Sequence, residues 1–319
     1  KRSASFDMRN LRLSTCFLLY CVIGIIFPTQ CNANICLPKQ HAALFIFGDS
    51  LFDPGNNNYI KATDEGHQEN YWPYGVTFFK YPTGRFSDGR IIPDFIAEYA
   101  KLPLLQPYLH PGYHEYINGE NFASGGAGAL SETYQGLVID IKTQLSYFEN
   151  VNKLLKQKLG VAETKTLLSR AVYLFNIRGN NYEAIFITNP SMLQSYSADK
   201  YADMVIGNLT TVIKEIYKKG GRKFGFIGLS SLGCSPILKV LVKNGSTDAC
   251  LEEVSALVKL HNSALSKALN KLEKQLRGFK YSLTNLYDIT TDLINYPSKY
   301  GFKEGKVACC GTGPFKGFF

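Results

Sequence analysis

The sequence has few of the features that build metal, nucleotide or nucleic-acid sites. It contains only five histidines, which form no cluster, and no Cys-x-x-Cys pair, so no metal-ligand set is expected. The glycine spacings of dinucleotide- and phosphate-binding loops, GxGxxG and GxxxxGK[ST], are absent. No DNA- or RNA-binding motif occurs. We therefore expect no cofactor, no metal and no nucleic-acid partner.

The apolar run from Cys16 to Phe27 is too short to span a bilayer comfortably. It follows Arg9 and Arg12 and precedes small residues ending at Ala33, which is the order of regions in a secretory signal peptide. We expect residues 1–33 to be a signal peptide, with extra residues before a natural start at Met8. The mature chain is then expected to carry no transmembrane segment.

Five cysteines remain after residue 33, an odd number for a protein of an oxidising compartment. Cys234 and Cys250 could close a surface loop. Cys309 and Cys310 are adjacent, so each needs a different partner. One thiol therefore has no partner within this chain.

Basic residues exceed acidic ones, with a formal net charge of +9. This surplus could suit an anionic cell wall or membrane surface, but lysines spread through helical stretches favour a solvated helix face. Asn208 and Asn244 begin Asn-x-Ser/Thr glycosylation sequons. We expect a secreted, extracellular glycoprotein, with the cell wall as a candidate location.

The first chemical signal lies between Ala42 and Tyr59. Apolar residues run from Ala43 to Phe47 and lead into Gly48-Asp49-Ser50, which is the pattern of a buried parallel strand and its exit. Parallel strands carry their chemistry at the carboxyl end. We interpret Ser50 as a nucleophile, although Gly-Asp-Ser alone is more typical of a turn.

Apolar runs alternate with amphipathic stretches along the rest of the chain: 171–177, 223–229 and 279–286 for the runs, and 137–159, 201–220, 251–276 and 288–298 for the helices. Such alternation predicts right-handed βαβ units, hence a parallel sheet with helices on both faces. No linker divides the pattern. We expect a single α/β domain over residues 34–319.

Three loops should meet at the carboxyl edge of this sheet: 48–50, 124–128 and 179–181. Together they would supply a serine oxygen, a backbone N–H and an amide side chain, which are the components of acyl transfer. Each loop has a structural alternative. Gly125 and Gly126 are compatible with a simple tight turn, and Asn180 with a helix cap.

The chain resembles, in order, the plant GDSL esterase/lipases of the SGNH hydrolase superfamily. The blocks that carry the resemblance are Phe47-Gly-Asp-Ser50, Asp53-x-Gly-Asn-Asn-Asn58, Asn121-Phe-Ala-Ser-Gly-Gly126, Gly179-Asn180, Leu260-His-Asn262 and Ala308-Cys-Cys-Gly-Thr-Gly313. They cover nearly everything after residue 33. The resemblance implies a flavodoxin-like, three-layer α/β/α fold and a secreted serine enzyme that hydrolyses esters.

The resemblance also implies a role for each matching residue. Ser50 would be the nucleophile and would supply a backbone N–H. Gly126 and Asn180 would complete the oxyanion hole, with Asp49 and Gly125 in support.

Two departures separate this chain from the family pattern. Arg178 and Asn181 replace the first glycine and the aspartate of the usual Gly-x-Asn-Asp block, which places bulk and charge at a tight turn. The Asp-x-x-His block that supplies the general base is absent, so no histidine of this chain is assigned as the base. His261 lies within an amphipathic helix, where we expect a structural role.

We therefore predict a C-terminally incomplete sequence of an active-type enzyme. It would hydrolyse carboxylic esters of lipid or small acyl type through an acyl-enzyme on Ser50. One alternative is a truncated, inactive homologue that binds an ester, lipid or wall component. A second is an acyltransferase that uses the same acyl-enzyme.

Overall fold

Five short strands form one parallel sheet. The computed structural model describes residues 42–62, 67–177, 179–187, 195–243 and 248–318. The strands run in the order β2-β1-β3-β4-β5 across the sheet. Their bounds are β1 Leu44–Gly48, β2 Gly119–Asn121, β3 Val172–Asn176, β4 Lys223–Ile227 and β5 Lys280–Thr284.

Eight helices occur within the described residues: α1 Ile92–Tyr99, α2 Ile141–Leu159, α3 Val161–Arg170, α4 Asn180–Ile187, α5 Ala198–Lys219, α6 Pro236–Lys243, α7 Glu252–Gln275 and α8 Leu286–Asn295. Short 3-10 turns occupy Asn56–Tyr59, Tyr116–Asn118, Leu232–Cys234, Pro297–Tyr300 and Pro314–Lys316. None of the helices in the described ranges is both long and apolar enough to cross a bilayer.

Helix starts differ from the predicted ones where a side chain caps the first turn. The predicted helix over 137–159 begins only at Ile141, because the Asp140 carboxylate accepts hydrogen bonds from the backbone N–H groups of Lys142 and Thr143. Helices α3 and α6 were not predicted from the sequence, and α4 was considered only as the helix that Asn180 would cap. These helices have ten residues or fewer and present too few turns for a clear periodicity.

The predicted three-layer α/β/α architecture is confirmed. Side chains on one face of the sheet, such as Phe45 and Phe47, share a core with helices α2 to α7. On the other face, Leu44 and Ile46 pack with Ala97 of α1. All residues of β1 are therefore buried, as expected of a central parallel strand.

The carboxyl end of β1 is fixed by neighbours on both sides. The Gln144 side chain of α2 accepts from Gly48 N (2.9 Å) and donates to Gly48 O (2.8 Å). Ser124 N, which follows β2, also donates to Gly48 O. A Cβ on Gly48 would lie 2.7 Å from Asn176 O, so only glycine fits this exit. The loops after β1, β2 and β3 are thus brought to one edge, as predicted.

Cys234 and Cys250 form a disulfide, which confirms the pairing considered from the sequence. Cys309 and Cys310 are both free and exposed. Several predictions concern residues outside the described ranges: the signal peptide over 1–33, Cys36, Arg178 and the sequon at Asn244.

Candidate active site

Ser50 and Asn180 lie on loops that meet at the carboxyl edge of the sheet. Ser50 follows β1 and is half-buried, and within the described residues nothing hydrogen-bonds its hydroxyl. Asn180 is the first residue of α4. Its Nδ2 donates to the carbonyl oxygen of Ala127 (2.9 Å) and to Asp49 Oδ2 (3.3 Å). Asn180 is thus held next to the serine loop and to the residue that follows Gly126.

Asp49 is fully buried and fixed at both its backbone and its side chain. Its N–H donates to Asn176 O at the end of β3, and its Oδ1 accepts from Leu51 N. The backbone on either side of Ser50 is therefore pinned. A nucleophile needs this kind of rigid support to approach a carbonyl along one direction.

The Gly125–Gly126 turn is held by a second buried carboxylate, that of Asp53. Asp53 Oδ2 accepts from Gly125 N (2.8 Å), and its Oδ1 accepts from the N–H groups of Gly55 and Asn56. Complete burial raises the pKa of Asp53 to about 6, against the opposing effect of these N–H bonds. The carboxylate ties the loop after β1 to the turn after β2.

Gly126 has a φ of +83°, a conformation that favours glycine. A Cβ there would lie 2.9 Å from both His67 Cδ2 and Val138 Cγ1. Gly126 therefore forms the tight turn considered as the structural alternative, at the place where an oxyanion donor is expected. His67 lies directly against this turn, and sequence reasoning did not single it out.

The asparagine-rich loop that contains Asn56 and Asn57 holds the same turn in place through side-chain hydrogen bonds. Asn57 Nδ2 donates to Gly125 O (2.9 Å) and to His67 O (2.8 Å). Asn56 Nδ2 donates to the carbonyl oxygens of Asn121 and Ala123. These buried amides satisfy backbone acceptors where the chain leaves β2. The asparagines of this loop therefore fix the backbone that surrounds the candidate site.

Asn181 is fully buried and has different hydrogen-bond partners from Asn180. Its Oδ1 accepts from Ala129 N (2.9 Å), and its Nδ2 donates to Thr133 Oγ1 (2.7 Å). An aspartate could accept from Ala129 but could not donate to Thr133. The replacement noted from the sequence is therefore accommodated by a neutral hydrogen-bond network.

His261 and Asn262 have structural positions on α7. His261 Nδ1 lies 3.0 Å from the Tyr182 hydroxyl, and burial lowers the pKa of His261 to about 3. Asn262 bonds the backbone of Leu229, where the chain leaves β4. Both observations agree with the structural role expected for this helix.

His114 is also engaged away from Ser50, with Nδ1 2.8 Å from Glu120 Oε2 and Nε2 2.7 Å from His110 O. The described residues contain no group of three or more His, Cys, Asp or Glu side chains arranged to hold a metal.

Sequence reasoning missed several residues that organise the site. Asp53 belongs to the block that carried the resemblance, so its spacing from Ser50 was available as a signal. Gln144 lies in a helix and Thr133 in a loop, and neither belongs to a motif that would have indicated its role. Their partners are distant in the chain, and only the folded structure brings them together.

A half-buried serine after a buried strand, a left-handed glycine turn and a side-chain amide lie at one edge of the α/β/α sheet, which is compatible with an ester hydrolase. Residues 44–317 match the family model described as GDSL-like Lipase/Acylhydrolase. The chain belongs to this family of carboxylic ester hydrolases.

Three relatives illustrate the similarity, and two come from Arabidopsis thaliana. "GDSL esterase/lipase 1" is 50% identical over 313 residues, covering 97% of this chain and 83% of the relative. "GDSL esterase/lipase 5" is 52% identical over 278 residues, or 87% and 71%. The "GDSL lipase" of Tanacetum cinerariifolium is 49% identical over 303 residues, or 94% and 78%.

Proposed function

We propose that this protein is a secreted esterase that hydrolyses lipid or small acyl esters through an acyl-enzyme on Ser50. The Ser50 oxygen attacks the ester carbonyl, and the ester C–O bond breaks as the serine proton passes to the departing alcohol. Water then cleaves the acyl-enzyme, releases the acid and returns a proton to the Ser50 oxygen. The observation that carries the proposal is the position of the Asn180 amide, hydrogen-bonded to Asp49 beside Ser50 and to Ala127 beside Gly126.

The oxyanion would be stabilised by the N–H groups of Ser50 and Gly126 and by the Asn180 amide. The 3.3 Å bond from Asn180 to Asp49 is long for an N–H···O bond, so this amide hydrogen is the more weakly held of the two and is the one that a developing oxyanion can share. Its other hydrogen stays on Ala127 O and fixes the amide plane.

The proposal assigns no histidine as general base. His114 and His261 are held by Glu120 and Tyr182. His67 lies against the Gly126 turn.

Secretion is supported by two independent features. The first 33 residues have the composition of a signal peptide. Cys234 and Cys250 form a disulfide, a bond that persists in oxidising compartments. Expression with residues 1–33 in a secretory host, followed by mass measurement of the mature N-terminus, tests this part. Protein retained inside the cell with an intact N-terminus would contradict it.

The catalytic part is tested with p-nitrophenyl acetate and butyrate. We expect the Ser50→Ala variant to lose the hydrolysis seen with the parent chain, and a fluorophosphonate probe to label the Ser50 peptide. Ser146→Ala is the matched control, because its exposed hydroxyl bonds only the Lys142 carbonyl on α2. Equal rates for the parent and Ser50→Ala would remove any catalytic role for Ser50 and favour a binding protein.

A further inference from the structure

The chain that leaves β4 lies directly against the chain that leaves β3. After β4 comes the 3-10 turn Leu232–Cys234, which we call the β4 exit turn. A Cβ placed on Gly179 would collide with Leu232 Cδ1, so this methyl group fills the space beside the glycine that precedes Asn180. Leu232 and Gly179 are both buried. The loop after β4 thus joins those after β1, β2 and β3 at this edge of the sheet.

The contact with Leu232 falls at the start of α4. The Gly179 carbonyl accepts hydrogen bonds from the N–H groups of Tyr182 and Glu183, both at 2.6 Å, so Gly179 closes the first turn of the helix. Asn180 is the first residue of that turn. A displacement of Gly179 therefore also displaces the Asn180 backbone, and with it the side-chain amide.

The β4 exit turn is itself held at both ends. Cys234 at its end is bonded to Cys250 by the disulfide. Just before the turn, the Ser231 N–H donates to Thr290 Oγ1 of α8 (3.0 Å), and the Ser231 hydroxyl donates to the same oxygen (2.9 Å). The Leu232 side chain is therefore carried by backbone that has little freedom to move. It presents a fixed surface to Gly179.

We propose that Leu232 is a positioning residue for Asn180. Its side chain sets where Gly179 lies, and so where the Asn180 amide meets the oxyanion. The effect on hydrolysis rests on the proposed function, in which Asn180 stabilises that charge. Truncation of Leu232 leaves a cavity beside a residue that has no side chain to fill it. A displacement of about 1 Å in a group that acts on the transition state can cost about 10²-fold in rate.

Steady-state kinetics of Leu232→Ala on p-nitrophenyl butyrate tests the effect on hydrolysis. We expect kcat to fall by about 10–10², with a much smaller change in KM. Leu232→Met nearly conserves the side-chain volume and should keep most of the activity. Leu269→Ala is the matched control, because it truncates another buried leucine toward the end of α7. It should lower the free energy of unfolding without lowering kcat.

The contact itself is tested by exchanging volume between positions 179 and 232. The three atoms nearest to a Cβ on Gly179 all belong to Leu232, so Gly179→Ala should displace the start of α4 and lower kcat. In the Gly179→Ala background, Leu232→Ala removes the colliding methyl groups and should restore part of the activity. The same substitution lowers the activity of the parent, and a reversal of sign is the mark of two residues in contact.

A readout that needs no catalysis measures the position of Asn180 directly. In protein labelled with ¹⁵N-asparagine, the side-chain NH₂ signals of Asn180 are those absent from Asn180→Ala. They should shift in Leu232→Ala and stay in place in Leu269→Ala. Unshifted signals overturn the inference, and so does an unchanged kcat in Leu232→Ala or a further loss of activity in the double variant.

The outcomes separate this inference from the proposed function. If hydrolysis depends on Ser50 but not on Leu232, the proposed function stands and the positioning role falls. If Ser50→Ala hydrolyses as fast as the parent, the proposed function falls. The Asn180 signals then decide the positioning role by themselves, since a shift in Leu232→Ala alone supports it and unshifted signals overturn it.

Discussion

Asn180 donates one amide hydrogen to Asp49 Oδ2 at 3.3 Å and the other to Ala127 O at 2.9 Å. The two acceptors orient the amide from opposite sides. Because Asp49 precedes the serine and Ala127 follows Gly126, the orientation of this amide depends on the loops after both β1 and β2. Asp49 is thus a positioning residue for Asn180.

We expect Asn180→Ala to lower kcat by about 10²–10³, with a much smaller change in KM, because the donor acts mainly on the charge that develops in the transition state. Steady-state kinetics on p-nitrophenyl butyrate checks this. Asn270→Ala, which removes an exposed amide on α7, serves as the control and should match the parent. A value of kcat within twofold of the parent for Asn180→Ala would remove it from the oxyanion hole.

The positioning role of Asp49 is checked by a double-mutant cycle. Asp49→Asn alone should lower kcat, because the carboxyl oxygens that orient the Asn180 amide are replaced by a carboxamide, whose NH2 group cannot accept from Asn180. In the Asn180→Ala background the same substitution should have little further effect, since the residue it positions is gone. Additive losses would show that Asp49 acts independently of Asn180.

Alanine substitutions at Gly126 and Gly136 distinguish the cost of a steric contact at the Gly126 turn from the cost of a strained backbone. Both have a φ of +83°, so alanine strains each backbone by a similar amount. At Gly126 the added methyl meets His67 and Val138, whereas at Gly136 it meets nothing within 4 Å. We expect Gly126→Ala to lose about 1–3 kcal/mol more unfolding free energy than Gly136→Ala, and to lose activity as well.

Urea denaturation of the two glycine variants, with ester hydrolysis in parallel, provides the measurement. Equal losses of stability would mean that His67 and Val138 move aside without cost. Full activity in Gly126→Ala would be incompatible with a role of this turn in binding the oxyanion.

The sequence was sufficient for the sheet and for the convergence of its loops, because buried parallel strands give continuous apolar runs and their exits share one edge. Val172–Asn176 and Lys223–Ile227 lie within the predicted runs. The short helices were harder to predict. Helix α4, for example, begins at Asn180 with a first turn of mainly polar residues, which shows no apolar periodicity.

The candidate site was predictable only in part. Ser50, Gly126 and Asn180 stand in local motifs, and the resemblance of these motifs to the family implied a role for each. The framework around them depends on contacts between residues far apart in the chain, such as Gln144 with Gly48 and Asp53 with Gly125. No local pattern marks such pairs, and the Asn181 network with Thr133 was unforeseen for the same reason.

Asp53 should make stability fall as the pH rises from about 4 to about 7. Burial raises the pKa of Asp53 from its ordinary value of 3.8 to about 6 in the folded state, so the folded protein holds this proton where the unfolded chain has lost it. The contribution is complete below pH 3.8 and is lost as the pH passes 6. It amounts to about 3 kcal/mol.

Asp53→Asn removes this titration while keeping a neutral side chain of the same shape. Urea denaturation between pH 4 and pH 7 should show the stability of the parent falling by about 3 kcal/mol relative to the variant. A constant difference between the two proteins would mean that Asp53 is ionised in the fold over the whole range. The Gly125 N–H bond would then outweigh burial.

His261 should have the opposite effect on the pH dependence of stability. Burial lowers its pKa from the ordinary value of 6.5 to about 3, so the unfolded chain takes up a proton that the folded protein excludes. The stability is complete above pH 6.5 and is lost as the pH falls toward 3, by about 1.4 kcal/mol per pH unit. We expect His261→Gln to remove this loss, so that the parent declines relative to the variant between pH 6.5 and pH 4.5.

Tyr182→Phe is the matched control for His261, because it removes the hydroxyl 3.0 Å from Nδ1 and leaves the imidazole buried. It should lower stability by a similar amount at every pH and keep the slope of the parent. If His261→Gln and the parent instead gave parallel curves, the imidazole would be protonated within the fold at pH 4.5. A protonated His261 would turn both ring nitrogens into donors, and the Tyr182 hydroxyl could then only accept.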